Sequence, residues 1–508
     1  MKKLLSMVIA LVMCLTALPF ALAEGEVPVI DWYIGTGDPP ADIQMVNDAL
    51  NEYLVEKIGC KVNLNYMNSA DWEQKIDTMI SSGQDMGIVG FGSQSKSDYV
   101  IQSQRGSYYP LDELLEEYGE GTYALFPDAV WDGMRINGKI YGIPALKDNG
   151  YFISLIYNAD MVEELGIDLS DIDYSNFRDL EELFYETKEA RDAAHPEMAE
   201  YPICWNVSLL YPYYFAFETF LNDSYMAVAN IEGIMDIEGF DTDTVFNFYD
   251  TPEFLEFALQ KQKLVADGIY LYDYTDKSDL RKPNDGVCYF VGWGYCYMQE
   301  HLYSEQWTSK MIMSDTIWTE TNNYFSAGTA ISANCAYPEK AFQVLNLVNT
   351  DPYVATMLRF GLEGVHWVRG EDGKMTFDFE GGRNKVVGER GYYFWYNAPI
   401  GNLTIVEAPE SLVGPNNEMM ETMIELNEAC LIPSHLGFVF DPAPVVNQIA
   451  ACTSVVAEYQ GALTRGQFET PEDVEANVAE FRQKLHDNGV DEVVAEVQRQ
   501  VEAWEAAK

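Results

Sequence analysis

Basic residues are scarce in this chain. Lys and Arg together number 31 against 81 Asp and Glu, a formal charge of −50 over 508 residues. Such a field repels nucleic acid and anionic headgroups, which excludes both as partners. Histidine is nearly absent as well. The five present (His195, His301, His366, His435, His486) are scattered, so their spacing suggests no metal centre. Cysteine offers no CxxC spacing. After a leader is set aside seven remain, an odd number in a chain long enough to need no staples, and they read as small buried hydrophobes. Cys288 and Cys296 are near neighbours, but the strand and turn between them argue against a bridge. Beyond the first two dozen residues no apolar run approaches the roughly 18 to 20 needed to cross a bilayer.

Catalytic signatures are missing too. There is no Walker lysine motif, no HExxH and no GxSxG, and Gly35-Thr36-Gly37 lacks the third glycine of a dinucleotide loop because Pro40 stands there. No catalytic residue, cofactor or metal is therefore expected. A carboxylate pair for glycoside hydrolysis stays open, since among so many acids some pair always has a suitable separation.

What is present begins with an export signal. Lys2 and Lys3 precede an apolar stretch from Leu4 to Leu18, and Ala21-Leu22-Ala23 offers a small-x-small cleavage site, so residues 1–23 read as a signal peptide and the mature chain as starting at Glu24. Cys14 follows Leu11 and Val12 as in a lipobox, but Met13 stands where a small residue is wanted; the reading is a plain cleaved signal, with the protein on the outer side of the cell envelope.

Apolar residues make up 48% of the chain, enough for a sizeable core, and aromatics 13%. Strands and helices then alternate. Val27 to Ile34 reads as a buried parallel strand, Ala41 to Ile58 as a helix with Val46, Leu50, Tyr53 and Leu54 on one face, and Lys61 to Tyr66 as a second strand. Ser69 is the expected N-cap of a helix carrying Trp72, Ile76, Met79 and Ile80, and Gly87 to Phe91 a third strand. Further strands are expected at Ile140 to Pro144, Tyr151 to Tyr157 and Val287 to Val291. At the C-terminal end Thr470-Pro471-Glu472-Asp473 is a capping box that opens a helix with Val474, Val478, Phe481 and Leu485 on one stripe; a last helix carries Val493, Val497, Val501 and Trp504.

This is an α/β pattern, and in open parallel sheets ligands collect beyond the carboxyl ends of strands. Asp38, and Phe91 with Ser93 and Gln94, are thus expected at one cleft. A sugar presents an apolar face that stacks on aromatic rings and an edge of hydroxyls that wants carboxylate or amide partners. Trp293 with Tyr295 after a strand, Tyr324 in an Asn-rich turn, and Trp395 with Asn397 combine the two. Trp32 belongs to the core.

Five stretches resemble the extracellular solute-binding proteins of carbohydrate ABC transporters, the broad family that includes maltose-binding protein. They are Val29-Ile30-Asp31-Trp32-Tyr33, Arg135 to Pro144, Leu155-Ile156-Tyr157-Asn158 with Asp160, Gly292-Trp293-Gly294-Tyr295 and Pro338 to Phe342. Leu485 to Asp491, continuing through Gln498-Arg499-Gln500 to Trp504, resembles the C-terminal domain of a subgroup of larger members. The resemblance implies a type II periplasmic-binding-protein-like fold with hinge crossings. One lobe would hold residues 27–147 plus 326–365; the other, with a helical extension, 148–325 plus 366–508. It also implies a carbohydrate ligand, membrane permease subunits as partners and a monomeric chain. The ligand positions carried over are Asp38, Phe91, Ser93, Gln94, Tyr151, Trp293 and Tyr295. A secreted glycoside hydrolase and a receptor for peptides or other polar solutes are the alternatives.

Overall fold

The computed structural model describes residues 27–36, 39–92, 98–150, 152–170, 177–205, 217–221, 224–233, 237–270, 289–294, 309–313, 317–384, 391–393, 400–413 and 417–507. In chain order the strands of interest are β1 (Val29–Thr36), β2 (Lys61–Asn68), β3 (Ile88–Phe91), β4 (Gly142–Pro144), β5 (Phe152–Asn158), β6 (Cys204–Trp205), β7 (Phe217–Leu221), β8 (Ser224–Asn230), β9 (Tyr289–Gly294), β10 (Ser309–Met313) and β11 (Gly328–Ile331). The helices are α1 (Ile43–Ile58), α2 (Ser69–Ser81), α3 (Pro252–Ala266), α4 (Pro338–Thr350), α5 (Val446–Arg465), α6 (Pro471–Asp487) and α7 (Val490–Glu505).

The two larger sheets fall one in each lobe. The first has the order β2-β1-β3-β11-β4, with β1 parallel to both neighbours and β11 antiparallel to β3 and β4. Trp32 lies fully buried at its centre, beside Ile30 and Ile34. The apolar stripe of α1 forms as its spacing predicts, through Val46, Leu50 and Leu54, while Tyr53 sits half-buried with its hydroxyl donating to Asp351. Gly59 closes this helix in the left-handed region. The N-cap of α2 is Asn68 rather than Ser69: its side chain accepts the Asp71 N–H, and Ser69 is already helical.

The second sheet has the order β10-β5-β9-β6, with β5 antiparallel to both β9 and β10. A separate hairpin, β7 with β8, packs near it. The C-terminal helices close over this lobe. Thr470 and Asp473 make the reciprocal capping box, and Val474, Val478, Phe481 and Leu485 are all buried, each contributing about 1.5–3 kcal/mol of apolar transfer. They join a core shared with Phe254, Phe257 and Tyr249. The Gln498-Arg499-Gln500 motif has a plain structural use: Gln498 grips the backbone of Asp243 and Val245, and Gln500 that of Asp441.

The packing after residue 365 differs from the expected lobe division. Tyr392 and Ile400 belong to the core of the first lobe, Arg383 pairs with Asp42 at the start of α1, and Leu146 bonds Gly401 and Leu403. The described residues between 366 and 428 therefore go with the first lobe: Trp367, Met375, Leu403 and Met423 pack on its Ala355 and Phe360, and the buried Asp42 carboxylate takes the Arg383 guanidinium as its counter-charge.

Candidate functional site

Three segments carry the chain between the lobes and meet in a buried polar knot. The first, residues 145–150, joins β4 to β5; the second, 317–327, joins β10 to β11; the third, 430–436, follows the helix Glu418–Glu428. Their backbones are laced together. Thr319 N–H donates to Leu431 O at 3.0 Å and Leu431 N–H to Ile317 O at 2.8 Å, while Ala145 N–H donates to Ala327 O at 2.9 Å.

Side chains complete the lacing. The Asn149 carbonyl accepts from the Thr319 hydroxyl (2.6 Å) and the Asn323 amide (2.8 Å). Asn427 answers from its helix, accepting Asn149 N–H at 2.9 Å and donating to Lys147 O at 2.7 Å. No periodic element could satisfy these irregular backbone groups, so amide and hydroxyl side chains do it. Two glycines let the segments approach. A Cβ on Gly150 would lie 2.5 Å from Ile317, and one on Gly437, whose φ is +89°, would lie 2.3 Å from the backbone of Gly133.

Asp148 is the anomaly in this knot. Its side chain is 2% exposed, and neither carboxylate oxygen has a hydrogen-bond partner among the described residues; the nearest cation is Lys147 Nζ at 4.0 Å. Burial pushes its carboxyl up to about 7, with Lys147 opposing the rise. An ordinary carboxylic acid thus titrates near neutrality at the point where the first lobe turns into the second.

β1 and β3 run parallel side by side and end at Thr36 and Phe91. In the other lobe β5 starts at Phe152 opposite the end of β9 at Gly294, directly after the first crossing. Trp293 lies within β9, in register with Ile153, rather than after a strand.

Two expected ligand-facing aromatics belong to the core instead. Phe91 is 1% exposed and packs on Tyr99 at 4.8 Å between centroids, its ring filling the space that Gly142 and Gly328 leave open. Tyr324 sits in a short helix, Thr321–Phe325, not a turn, and is 6% exposed with its ring edge-on to Phe126. Strand and helix geometry turn both rings inward, which residue type alone does not reveal. Asp38, Ser93, Gln94, Tyr151, Tyr295, Trp395 and Asn397 lie outside the described residues, as do Cys288, Cys296 and the Trp293 side chain.

The knot residues Asp148, Asn149, Thr319, Asn323 and Asn427 escaped the sequence reading. The available signals were the polar run Lys147 to Asn149 between two strands and the pair Asn322-Asn323.

Comparison with known proteins puts this geometry in context. A family model described as a domain of unknown function, DUF3502, matches residues 434–506, from the third crossing to the end of α7. Over 95% of its length the chain is 25% identical to a carbohydrate ABC transporter substrate-binding protein of Streptococcus pneumoniae serotype 4 (strain ATCC BAA-334 / TIGR4), of which the match covers 92%. The crystal structure of the N-glycan transport solute binding protein NgtS from S. pneumoniae superposes with a TM-score of 0.73 at 22% identity, covering 94% of this chain and 98% of that one. Its complex with Man1GlcNAc gives 0.62 at the same identity, covering 94% and 99%. The fold is that of two-lobe solute-binding proteins with a helical C-terminal region.

Proposed function

We infer that this chain is the substrate-binding component of an ABC importer for carbohydrates, taking an oligosaccharide between its two lobes and delivering it to membrane permease subunits. The observation that carries the reading is the three-segment crossing: two separately cored lobes meet where irregular backbone is held by Asn149, Thr319, Asn323 and Asn427. A joint of that kind suits a receptor whose output is closure about a ligand. The likeness to a carbohydrate ABC transporter substrate-binding protein over nearly the whole chain supports the ligand class.

Within this reading the rim is built from segments that follow adjacent strand ends. Asp38, Ser93 and Gln94 follow β1 and β3 in sequence; Tyr151 precedes β5 and Tyr295 follows β9. Trp293, Trp395 and Asn397 add stacking and amide groups. The sugar leaves unchanged, so the protein binds rather than hydrolyses. Export through the cleaved leader puts it on the outer face of the envelope, and among the described residues no helix is long and apolar enough to cross a membrane.

The test is a panel of oligosaccharides, N-glycan fragments such as Man5GlcNAc included because the pneumococcal relative is known in complex with one. Melting temperature is followed, and the sugars are then analysed by chromatography. A ligand at 100 times its dissociation constant adds about 2.7 kcal/mol of stability. A rise with at least one sugar, recovered intact, is expected. New reducing ends would point to a hydrolase, and no rise with any sugar would sink the carbohydrate assignment.

A further inference from the structure

The fold gathers a histidine and three carboxylates at the far end of the third crossing. His435 leaves the third crossing fully buried, with Glu218 of β7 on one side of its ring and Glu505, in the last turn of α7, on the other. Glu218 takes both protons on its side: its carboxylate accepts the His435 backbone N–H at 3.0 Å and faces Nδ1 at 2.6 Å. An Nδ1–H held by a carboxylate leaves Nε2 as the free lone pair, the arrangement typical of a metal-bound imidazole.

Nε2 faces two further carboxylates, of which Asp243 accepts one long hydrogen bond from the Thr242 hydroxyl at 3.4 Å. Glu505 Oε1 lies 3.3 Å away, but the contact lacks hydrogen-bond alignment and Nε2 has no hydrogen-bond partner. Asp243 is the third member: one oxygen of each carboxylate and the imidazole nitrogen all lie within 4.8 Å of one another. A separation of 3.3 Å is the edge of a tetrahedron whose centre lies about 2.0–2.1 Å from each corner, the bond length of zinc to His nitrogen or carboxylate oxygen. One proton could serve only one of these two carboxylates, whereas a divalent cation serves both.

The surroundings fit a built site. Gln498 of α7 holds the Asp243 segment by bonding its carbonyl at 3.1 Å and Val245 N–H at 2.7 Å. Phe220 and Trp504 flank the imidazole at 5.8 and 6.3 Å between ring centres. Asp243 is exposed and the Glu505 side chain 36% exposed, which leaves an entry path and room for water as the remaining ligand.

We propose that Asp243, His435 and Glu505 form a zinc-type divalent metal site, with Glu218 orienting the histidine. The ion would fasten the end of the C-terminal helical domain to the third crossing and to the loop after β8. This assignment is independent of what the cleft binds.

The signal-free chain is stripped with chelator and titrated with zinc chloride by calorimetry, with melting temperature read in parallel. One equivalent bound, with a rise in melting temperature, is expected. The double variant Asp243→Asn/Glu505→Gln keeps the size of an exposed and a half-buried side chain, and its circular dichroism should match the parent; it should bind roughly 100-fold more weakly. Cobalt in place of zinc should give ligand-field absorption without a thiolate charge-transfer band. No zinc binding would overturn the proposal and leave a proton between His435 and Glu505. Equal affinity in the double variant, or a thiolate band placing the metal on cysteine, would also overturn it.

Discussion

Replacing Asp148 with Asn should stabilise the protein at neutral and alkaline pH and leave its stability in acid unchanged. The side chain is 2% exposed, no hydrogen bond within normal geometry reaches either oxygen among the described residues, and Lys147 at 4.0 Å and its own backbone N–H only partly offset the burial. Burial raises its pKa from 3.8 to about 7. In the unfolded chain the group ionises near pH 4, whereas the folded protein keeps the proton until about pH 7. Between those values the folded state holds more protons, so stability falls as pH rises through the window and stays low above it. At 1.36 kcal/mol per unit the fall is bounded by about 4 kcal/mol, and local relaxation brings the expected figure to about 2–4 kcal/mol. Asn has the same size and no charge, so it escapes the penalty. Urea unfolding of both proteins from pH 4 to 8.5 gives the difference in free energy, in which contributions from the many other acids cancel. The two should coincide at pH 4, and the variant should exceed the parent by about 2–4 kcal/mol at pH 8. A difference that does not vary with pH, or a variant weaker at pH 8, would refute the assignment of Asp148 as an uncompensated buried acid.

Asn427→Ala orphans Asn149 N–H and Lys147 O together, so it should cost about 1–3 kcal/mol and speed amide exchange at Asn149; unchanged protection there would mean the first two crossings hold without the helix. Gly437→Ala puts a methyl 2.3 Å from the Gly133 backbone at a φ of +89°, and should lower stability by about 2–5 kcal/mol in thermal unfolding, whereas a wild-type transition would show that the segments part easily. Phe481→Ala removes a fully buried ring packed on Tyr249 and Tyr459, for an expected loss of about 3–5 kcal/mol. Hydrogen exchange should confine that loss to the second lobe and its helical extension; equal loosening of the sheet around Trp32 would contradict the separation into two cores.

The parts of the fold written in local pattern were legible in the sequence. The capping box at Thr470, the stripe from Val474 to Leu485 and the glycine stop after α1 depend on neighbours three or four residues apart, and each formed as the spacing predicts. The crossing knot was not legible, because its partners come from three distant stretches and follow no period. Direction misled as well: Phe91 and Tyr324 have the chemistry of a sugar platform, but their backbones turn the rings into the core. The scattered histidines gave no hint of Asp243, His435 and Glu505, which only tertiary packing brings together.

The central claim is that the lobes close on a carbohydrate by movement at the three crossings. Small-angle X-ray scattering of the mature chain, with and without a saturating oligosaccharide identified by the thermal panel, tests it most directly. A contraction of the radius of gyration on adding that sugar, absent with a sugar that gives no thermal shift, is the predicted result. Tight binding with an unchanged scattering profile would contradict the account.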